Sequence, residues 1–364
     1  MKLLDVCEMI VDCPHSTAKD EGKGYPLIRT PNIGRGRLKL EGVHRVSAEI
    51  YDKRNERAVP QENDLILARE APVGNVAIIK HGQEVCLGQR TVLIRPNQDI
   101  ADPDYLVYYL LSPKKQHALL SASNGATVSH LNMSAIRALE VELPEIEIQR
   151  KIGKVLAGFD DKIELNKRIN KNLELQAQAI YCDLFITNAD SEWNLGHLSD
   201  LITIRYGKDH KKLADGPYPV YGSGGIMRYV ERPLYDKESV LIPRKGTLNN
   251  VMYVSEPFWS VDTMFFSEMR LPNVAKFVFH FVKSKDLAAL NAGSAVPSMT
   301  TDILNAMEVC IPDASTLQRF ENNVAPMYKA IRHNNEEAKK LEALRDALLP
   351  QLISGELDVS DISL

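Results

Sequence analysis

Residues Leu143–Leu175 read LPEIEIQRKIGKVLAGFDDKIELNKRINKNLEL. The stretch holds few β-branched residues and no proline after Pro144, and its apolar residues recur every three or four positions. A long amphipathic helix is predicted. A similar text lies near the end of the chain, IPDASTLQRFENNVAPMYKAIRHNNEEAKKLEAL, residues Ile311–Leu344. One long helix in the middle and another near the end is the pattern from which the remainder is read.

The two stretches keep one spacing. Pro144 and Pro312, Phe159 and Met327, Ile163 and Ile331, Asn166 and Asn334, and Leu173 and Leu341 stand 168 residues apart, as do Gly125 and Gly293. Gln149-Arg150 and Gln318-Arg319 are 169 apart, one inserted residue. Upstream, DLILAREAPVGNVAII (Asp64–Ile79) aligns with SVLIPRKGTLNNVMYV (Ser239–Val254) at a spacing of 175. Each reads as an apolar strand, a loop carrying Arg, and a second strand after Asn-Val. A period this long marks a duplicated domain rather than a solenoid unit. The expected order is a first globular domain (1–142), a central long helix (143–190), a second globular domain (191–311), a C-terminal long helix (312–354) and a tail (355–364). The globular parts carry short β runs such as Thr91–Pro96 and Ser239–Pro243 between Gly/Pro/Asn turns, and a short helix is expected near Pro103–Leu120 and near Val274–Ala289. Regular βαβ units are missing from the pattern, so the fold class is α+β.

Both helices carry a seam. Ile152, Val155, Phe159, Ile163, Asn166, Ile169, Leu173 and Ile180 recur at near-heptad spacing. So do Leu317, Phe320, Val324, Met327, Ile331, Asn334, Ala338, Leu341 and Leu348, with Arg345 interrupting. Two similar helices that each need a partner can satisfy one another. An antiparallel coiled coil is expected to join and space the globular domains, with Phe159, Ile163, Asn166, Ile169 and Leu173 pairing with Met327, Ile331, Asn334 and Leu341. Asn166 and Asn334 should then lie near each other and fix the register. The plainer reading is two amphipathic helices, each packed on its own domain.

Composition narrows the function classes. The 364 residues carry a formal net charge of −4, which argues against a protein that coats nucleic acid but allows a local basic face. No apolar run approaches the ~18 residues of a membrane span, and Met1–Asp5 does not begin a secretory signal. Cys7, Cys13, Cys86, Cys182 and Cys310 are odd in number and scattered, so a reducing cytoplasm fits better than a disulfide framework or a zinc site.

Beyond the tandem plan and the Gln149-Arg150 entry to the first helix, several runs are distinctive: DDKIELNKRINKNLE (Asp160–Glu174), LEALRDALLPQLISGEL (Leu341–Leu357), PVYGSGGIMRYV (Pro219–Val230), VLIPRKGTLNNV (Val240–Val251) and FWSVDTMFF (Phe258–Phe266). Together they resemble the specificity subunit of Type I restriction–modification systems over essentially the whole chain. The resemblance implies that each globular domain is a target-recognition domain reading one half of a split site in double-stranded DNA. It further implies that the helices set the distance between the halves and dock two methyltransferase (modification) subunits, with restriction subunits added for cleavage. S-adenosylmethionine, ATP and magnesium are then expected in the partners and no cofactor in this chain.

Candidate DNA contacts follow from side-chain chemistry. The loop Arg69–Asn75 and its counterpart Arg244–Asn250 rank first, since Arg can grip guanine in a fork and Asn can read adenine. Arg69, Asn75, Arg244, Lys245, Thr247, Asn249 and Asn250 are the residues singled out; solvated loops are the plainer alternative. Lys208, Lys211 and Lys212 form a basic run suited to phosphate. Thr127, Ser129 and His130 lie in a small polar loop, Gln89 and Arg90 at a strand edge. Ser223, within Tyr221–Gly225, sits in a glycine-rich segment without GxxxxGK[ST] or GxGxxG spacing, which is read as a flexible loop near DNA rather than a nucleotide site. The enzyme alternative is a stand-alone DNA methyltransferase or nuclease. Asp102-Pro103-Asp104-Tyr105 is the nearest text to an [ND]PP[YF] motif, but its third residue is Asp, and it is read as a helix start. No nuclease cluster, HExxH or nucleophile elbow is present, so no catalytic or metal-ligating residue is assigned. A scaffold without DNA contact is the remaining alternative, disfavoured by the Arg-bearing loops.

Overall fold

The computed structural model describes residues 1–123, 130–290 and 298–359, and the chain divides into two compact units, Met1–Lys167 with Asn334–Leu364, and Arg168–His333. The division passes through both long helices, so each unit holds a globular domain and a part of each helix.

In the first unit a five-stranded sheet runs in the order Cys7–Asp12, Thr91–Pro96, Leu65–Ala68, Val76–Ile78, Gly36–Arg37. Leu65–Ala68 and Val76–Ile78 are apolar at every position because both faces are covered. Leu65, Leu67, Val76 and Ile78 pack towards the helix Pro103–Leu111, while Ile66, Ala68 and Ala77 pack with Ile28 and Ile33 on the other side. That helix begins where the sequence placed a helix start: the Asp102 carboxylate accepts from the Tyr105 N–H at 2.8 Å and Pro103 opens the first turn. A three-stranded sheet, Arg45–Val46, Tyr25–Ile28, Cys86–Leu87, lies beside it, the last two strands parallel.

The second unit repeats this plan. Ile202–Tyr206, Met264–Met269, Ser239–Pro243 and Met252–Val254 form a four-stranded sheet, and Gly225–Val230, Tyr218–Gly222 and Trp259–Ser260 a three-stranded one whose last pair is again parallel. The repeat extends to register. Leu65 stands opposite Ile78 and Ile66 opposite Ala77; Val240 stands opposite Tyr253 and Leu241 opposite Met252, each residue displaced by 175. Gly36–Arg37, paired parallel to Ala77-Ile78, is a fifth strand that the second unit's sheet lacks among the described residues.

The long helices are Ile146–Cys182, 37 residues, and Ala314–Ser354, 41 residues. Asp313 starts the second: its carboxylate accepts from the backbone N–H of Ser315 and Thr316 at 2.9 Å and from both hydroxyls, which holds it well below the usual carboxylate range. Within the first unit, buried Asn166 donates from Nδ2 to the Asn334 carbonyl at 3.3 Å and to Glu337 at 2.7 Å. Asp160, also buried, accepts from the Tyr108 hydroxyl at 2.6 Å and pairs with Arg345, the residue that interrupts the apolar seam. Ile163 is buried too, whereas Phe159 and Leu341 are half-buried. Within the second unit, Met327 packs on the core, Ile331 and Leu173 are half-buried, and Ile169 departs from the expected seam at 37% exposed. Asn170 takes the buried place and donates to the Ile331 carbonyl at 3.5 Å. Ile163, Asn166, Asn170, Leu173 and Ala177 alternate steps of three and four, so the strict heptad passes through Asn170 rather than Ile169.

Candidate nucleic-acid interface

In the first domain the loop after Leu65–Ala68 turns its charges inward. Arg69 is 6% exposed. It donates to the Leu131 carbonyl at 2.8 Å and to Asp12 at 2.6 Å, and its Nη2 lies 2.9 Å from His130 Nε2. His130 Nδ1 in turn lies 2.5 Å from Glu70, which also pairs with Arg90 at 2.8 Å. Asn75 donates to the Ile33 carbonyl at 3.1 Å, and Gln89 donates to the His15 carbonyl at 2.7 Å while accepting from Thr17. Arg69 therefore does not present its donors at the surface as the sequence suggested: Asp12 and the Leu131 carbonyl take them up, while His130 and Asn75 stay half-buried. Arg90 keeps an exposed side chain despite its pair with Glu70. Thr127 and Ser129 lie outside the described residues.

In the second domain the equivalent loop opens outward. Arg244 stacks its guanidinium over the Tyr206 ring at 5.5 Å and donates to the Asp262 carbonyl at 3.2 Å, with no carboxylate as partner among the described residues. Tyr206 is 53% exposed, so the pair presents an aromatic face and a cation together. The glycine-rich segment is a tight hairpin, Gly222 opposite Gly225, rather than a flexible loop. Gly225 takes φ +108°, which favours glycine. Asn250 donates to the Ser223 carbonyl at 2.8 Å, and a Cβ on Gly246 would come within 2.6 Å of the Ser223 hydroxyl, so hairpin and Arg-bearing loop are in contact. Lys208, Lys211, Lys212, Lys245 and Thr247 are exposed, and none of these lysines forms an ion pair among the described residues. Asn249 is bound to its own domain instead, donating to Asp286 at 3.1 Å and accepting from the Ala288 N–H; the bond holds the Asp286 carboxyl below its ordinary value.

The structure thus brings Arg244, Lys245, Ser223 and Asn250 to one place and adds Tyr206, which the sequence reading passed over although it lies two residues before Lys208. Among the described residues, no group of three or more His, Cys, Asp or Glu side chains is gathered to hold a metal ion. No helix is long and apolar enough to cross a membrane.

Two copies of one domain, each followed by a long helix, match a known family model, the Type I restriction modification DNA specificity domain, over residues 1–175 and 190–343. The chain belongs to this family. The Type I restriction enzyme MjaIX specificity subunit of Methanocaldococcus jannaschii is 24% identical over 396 aligned residues, covering 96% of this chain and 88% of that protein. The putative type I specificity subunit S.MpnORF638P of Mycoplasma pneumoniae is 25% identical over 67% of this chain and 71% of its own length. The crystal structure of a Type-I restriction-modification system S subunit from M. genitalium shares the fold, with a TM-score of 0.60 at 16% identity over 97% of this chain and 95% of that one. This chain is thus similar to proteins named specificity subunits, and its two recognition domains are the family's repeat.

Proposed function

We propose that this chain is the sequence-reading component of a Type I restriction–modification complex and is not itself a catalyst. Each domain reads one half of a bipartite site in double-stranded DNA. The long helices pair as an antiparallel coiled coil, set the spacer between the half-sites and dock two methyltransferase subunits, with restriction subunits in the full complex. S-adenosylmethionine, ATP and magnesium belong to those partners, and the complex works in the cytoplasm. The observation that carries the reading is the duplicated domain with matched register, whose second copy offers Arg244 and Tyr206 beside a rigid hairpin. Two similar readers on one spacer suit a split site, as dimeric DNA-binding proteins suit two half-sites. A helix of 37 residues is ~56 Å long, more than one turn of DNA.

The test is single-molecule sequencing of adenine methylation in a host carrying this chain and its modification subunit. A split motif should appear, and exchanging residues 192–311 for those of a relative should change one half only. A contiguous motif, a change in both halves, or methyl transfer by the purified chain alone would overturn the proposal.

A further inference from the structure

The first domain contains a cleft of about 340 Å³ whose walls include Thr17, Arg29, Arg54, Gln89 and Arg90, and no carboxylate lines it. Two of its three arginines form no ion pair among the described residues. Arg54 is 5% exposed, and it spends its donors on neutral acceptors: the Leu87 carbonyl at 2.6 Å, the Ser16 carbonyl at 3.0 Å and the Pro14 carbonyl at 3.4 Å. Arg29 has no side-chain hydrogen bond or ion pair among the described residues, and its Nε is buried without an acceptor. Only Arg90 has an acid, Glu70 at 2.8 Å.

A buried cation without a counter-ion is costly, and a fold that keeps Arg54 buried behind the cleft, with half-buried Arg29 beside it, offers an anion a partly desolvated site. The glycine between strand and cleft supports the same reading. A Cβ on Gly88 would come within 2.9 Å of Arg29 Cγ and 2.7 Å of the Ile28 carbonyl, so glycine lets the Arg29 stem lie close against the wall. The forked guanidinium suits the paired oxygens of a phosphate.

We propose that this cleft binds a phosphate group, and, resting on the DNA-reading function above, that its ligand is a backbone phosphodiester beside the first half-site. Arg29 is the principal donor, Arg54 the fixed charge behind it, and Gln89 and Arg90 form the lip. Such a contact sets the position of the first domain on the duplex and carries no sequence information. It also accounts for a domain whose Arg69 is turned inward yet must hold its half-site.

The test titrates the full chain, with its modification subunits, against a duplex bearing its methylation site over a range of salt concentrations. For Arg29→Gln the slope of log K against log salt should be shallower by about 0.9, one phosphate contact, with the methylated sequence unchanged. Arg29→Lys should restore most of the slope. Arg29 makes no side-chain hydrogen bond or ion pair among the described residues, so the variant should unfold close to the wild-type temperature. Equal slopes for wild type and Arg29→Gln, or an altered methylated sequence, would overturn the cleft's role. Wild type that does not bind the duplex would instead sink the DNA reading, and inorganic phosphate then becomes the probe. Phosphate that raises the unfolding temperature of wild type but not of Arg29→Gln supports the phosphate site with a free anion as its ligand; no rise overturns it.

Discussion

Arg69 and Arg244 are 175 residues apart and leave equivalent strands at the same point, yet one guanidinium points into its domain and the other lies along its surface. The cause is on the neighbouring edge strand. Asp12 stands opposite Val92, which stands opposite Leu67; Tyr206 stands opposite Phe265, which stands opposite Ile242. Asp12 and Tyr206 therefore occupy the same place in the two copies. The acid draws Arg69 inward, whereas the aromatic ring gives Arg244 a flat face to rest on. One residue across the sheet decides whether the same arginine is taken into its domain or stays on the surface.

This contrast can be broken most directly by removing the arginines in turn. Arg69→Ala removes the buried partner of Asp12, which keeps only the exposed His15 at 3.3 Å, and should cost about 3 kcal/mol of stability. Amide exchange in Leu65–Ala68 should register the loss. Arg244→Ala should leave stability within about 0.5 kcal/mol of wild type, because it removes one backbone contact and one stacking contact at a half-exposed site. It should weaken specific duplex binding by about 1–3 kcal/mol, measured by anisotropy. Equal effects on stability would mean that the two loops are not different devices.

Acid should separate the two domains next. His280 is buried against Tyr181, with Gln178 at 2.7 Å on Nδ1 and the Tyr328 hydroxyl at 2.9 Å on Nε2. Burial, helped by Lys283, pushes its pKa down to about 4. Between the ordinary value near 6.5 and about 4, the unfolded chain takes up a proton that the folded one does not. Stability from this group is whole above pH 6.5 and falls as pH drops, by on the order of 3 kcal/mol. Unfolding of the second domain should show this slope, and His280→Gln should flatten it.

Smaller effects are expected at Tyr206 and the asparagines. Tyr206→Ala should lower duplex affinity by about 0.5–1 kcal/mol, since it removes the support beneath Arg244. Asn166→Leu with Asn334→Leu should raise stability by about 1 kcal/mol, because the Asn166 carbonyl oxygen is buried without a partner. The same pair of changes should widen the range of spacer lengths methylated in the sequencing assay, and an unchanged range would remove register control from these two residues.

The sequence was most legible where the physics is local. Apolar runs bounded by turn residues placed Leu65–Ala68 and Ser239–Pro243, and a single spacing carried the pairing of one copy onto the other. Helical periodicity found both long helices, but not which residue of an adjacent pair is buried. Asn170 displaces Ile169 because a backbone carbonyl of the other helix satisfies its amide, a contact across 161 residues. The loops were legible only as chemistry. Whether Arg69 reaches solvent depends on Asp12, 57 residues earlier, and whether Arg29 keeps an open fork depends on the absence of any acid along the cleft. Charge is written in sequence, but its direction is set by distant partners.

The clasps that hold each globular domain to its helices bear on inheritance. Arg37, on the extra strand, reaches Asp161 at 2.7 Å, and Asp160 on the preceding position is matched by Arg345, 185 residues further along the chain. In the other copy Lys276, 3% exposed, pairs with Glu321 at 2.7 Å, beyond the end of its own globular domain. A genetic exchange that delivers a new first domain by one crossover in mid-gene separates Asp160 from the Arg345 it was selected with. Lineages that reshuffle these domains must then hold the clasp residues common to every allele, or exchange at two points so that both ends travel together. The ion pairs would thereby decide which recombinants survive, and so which new pairings of the two domains a population can reach in one step.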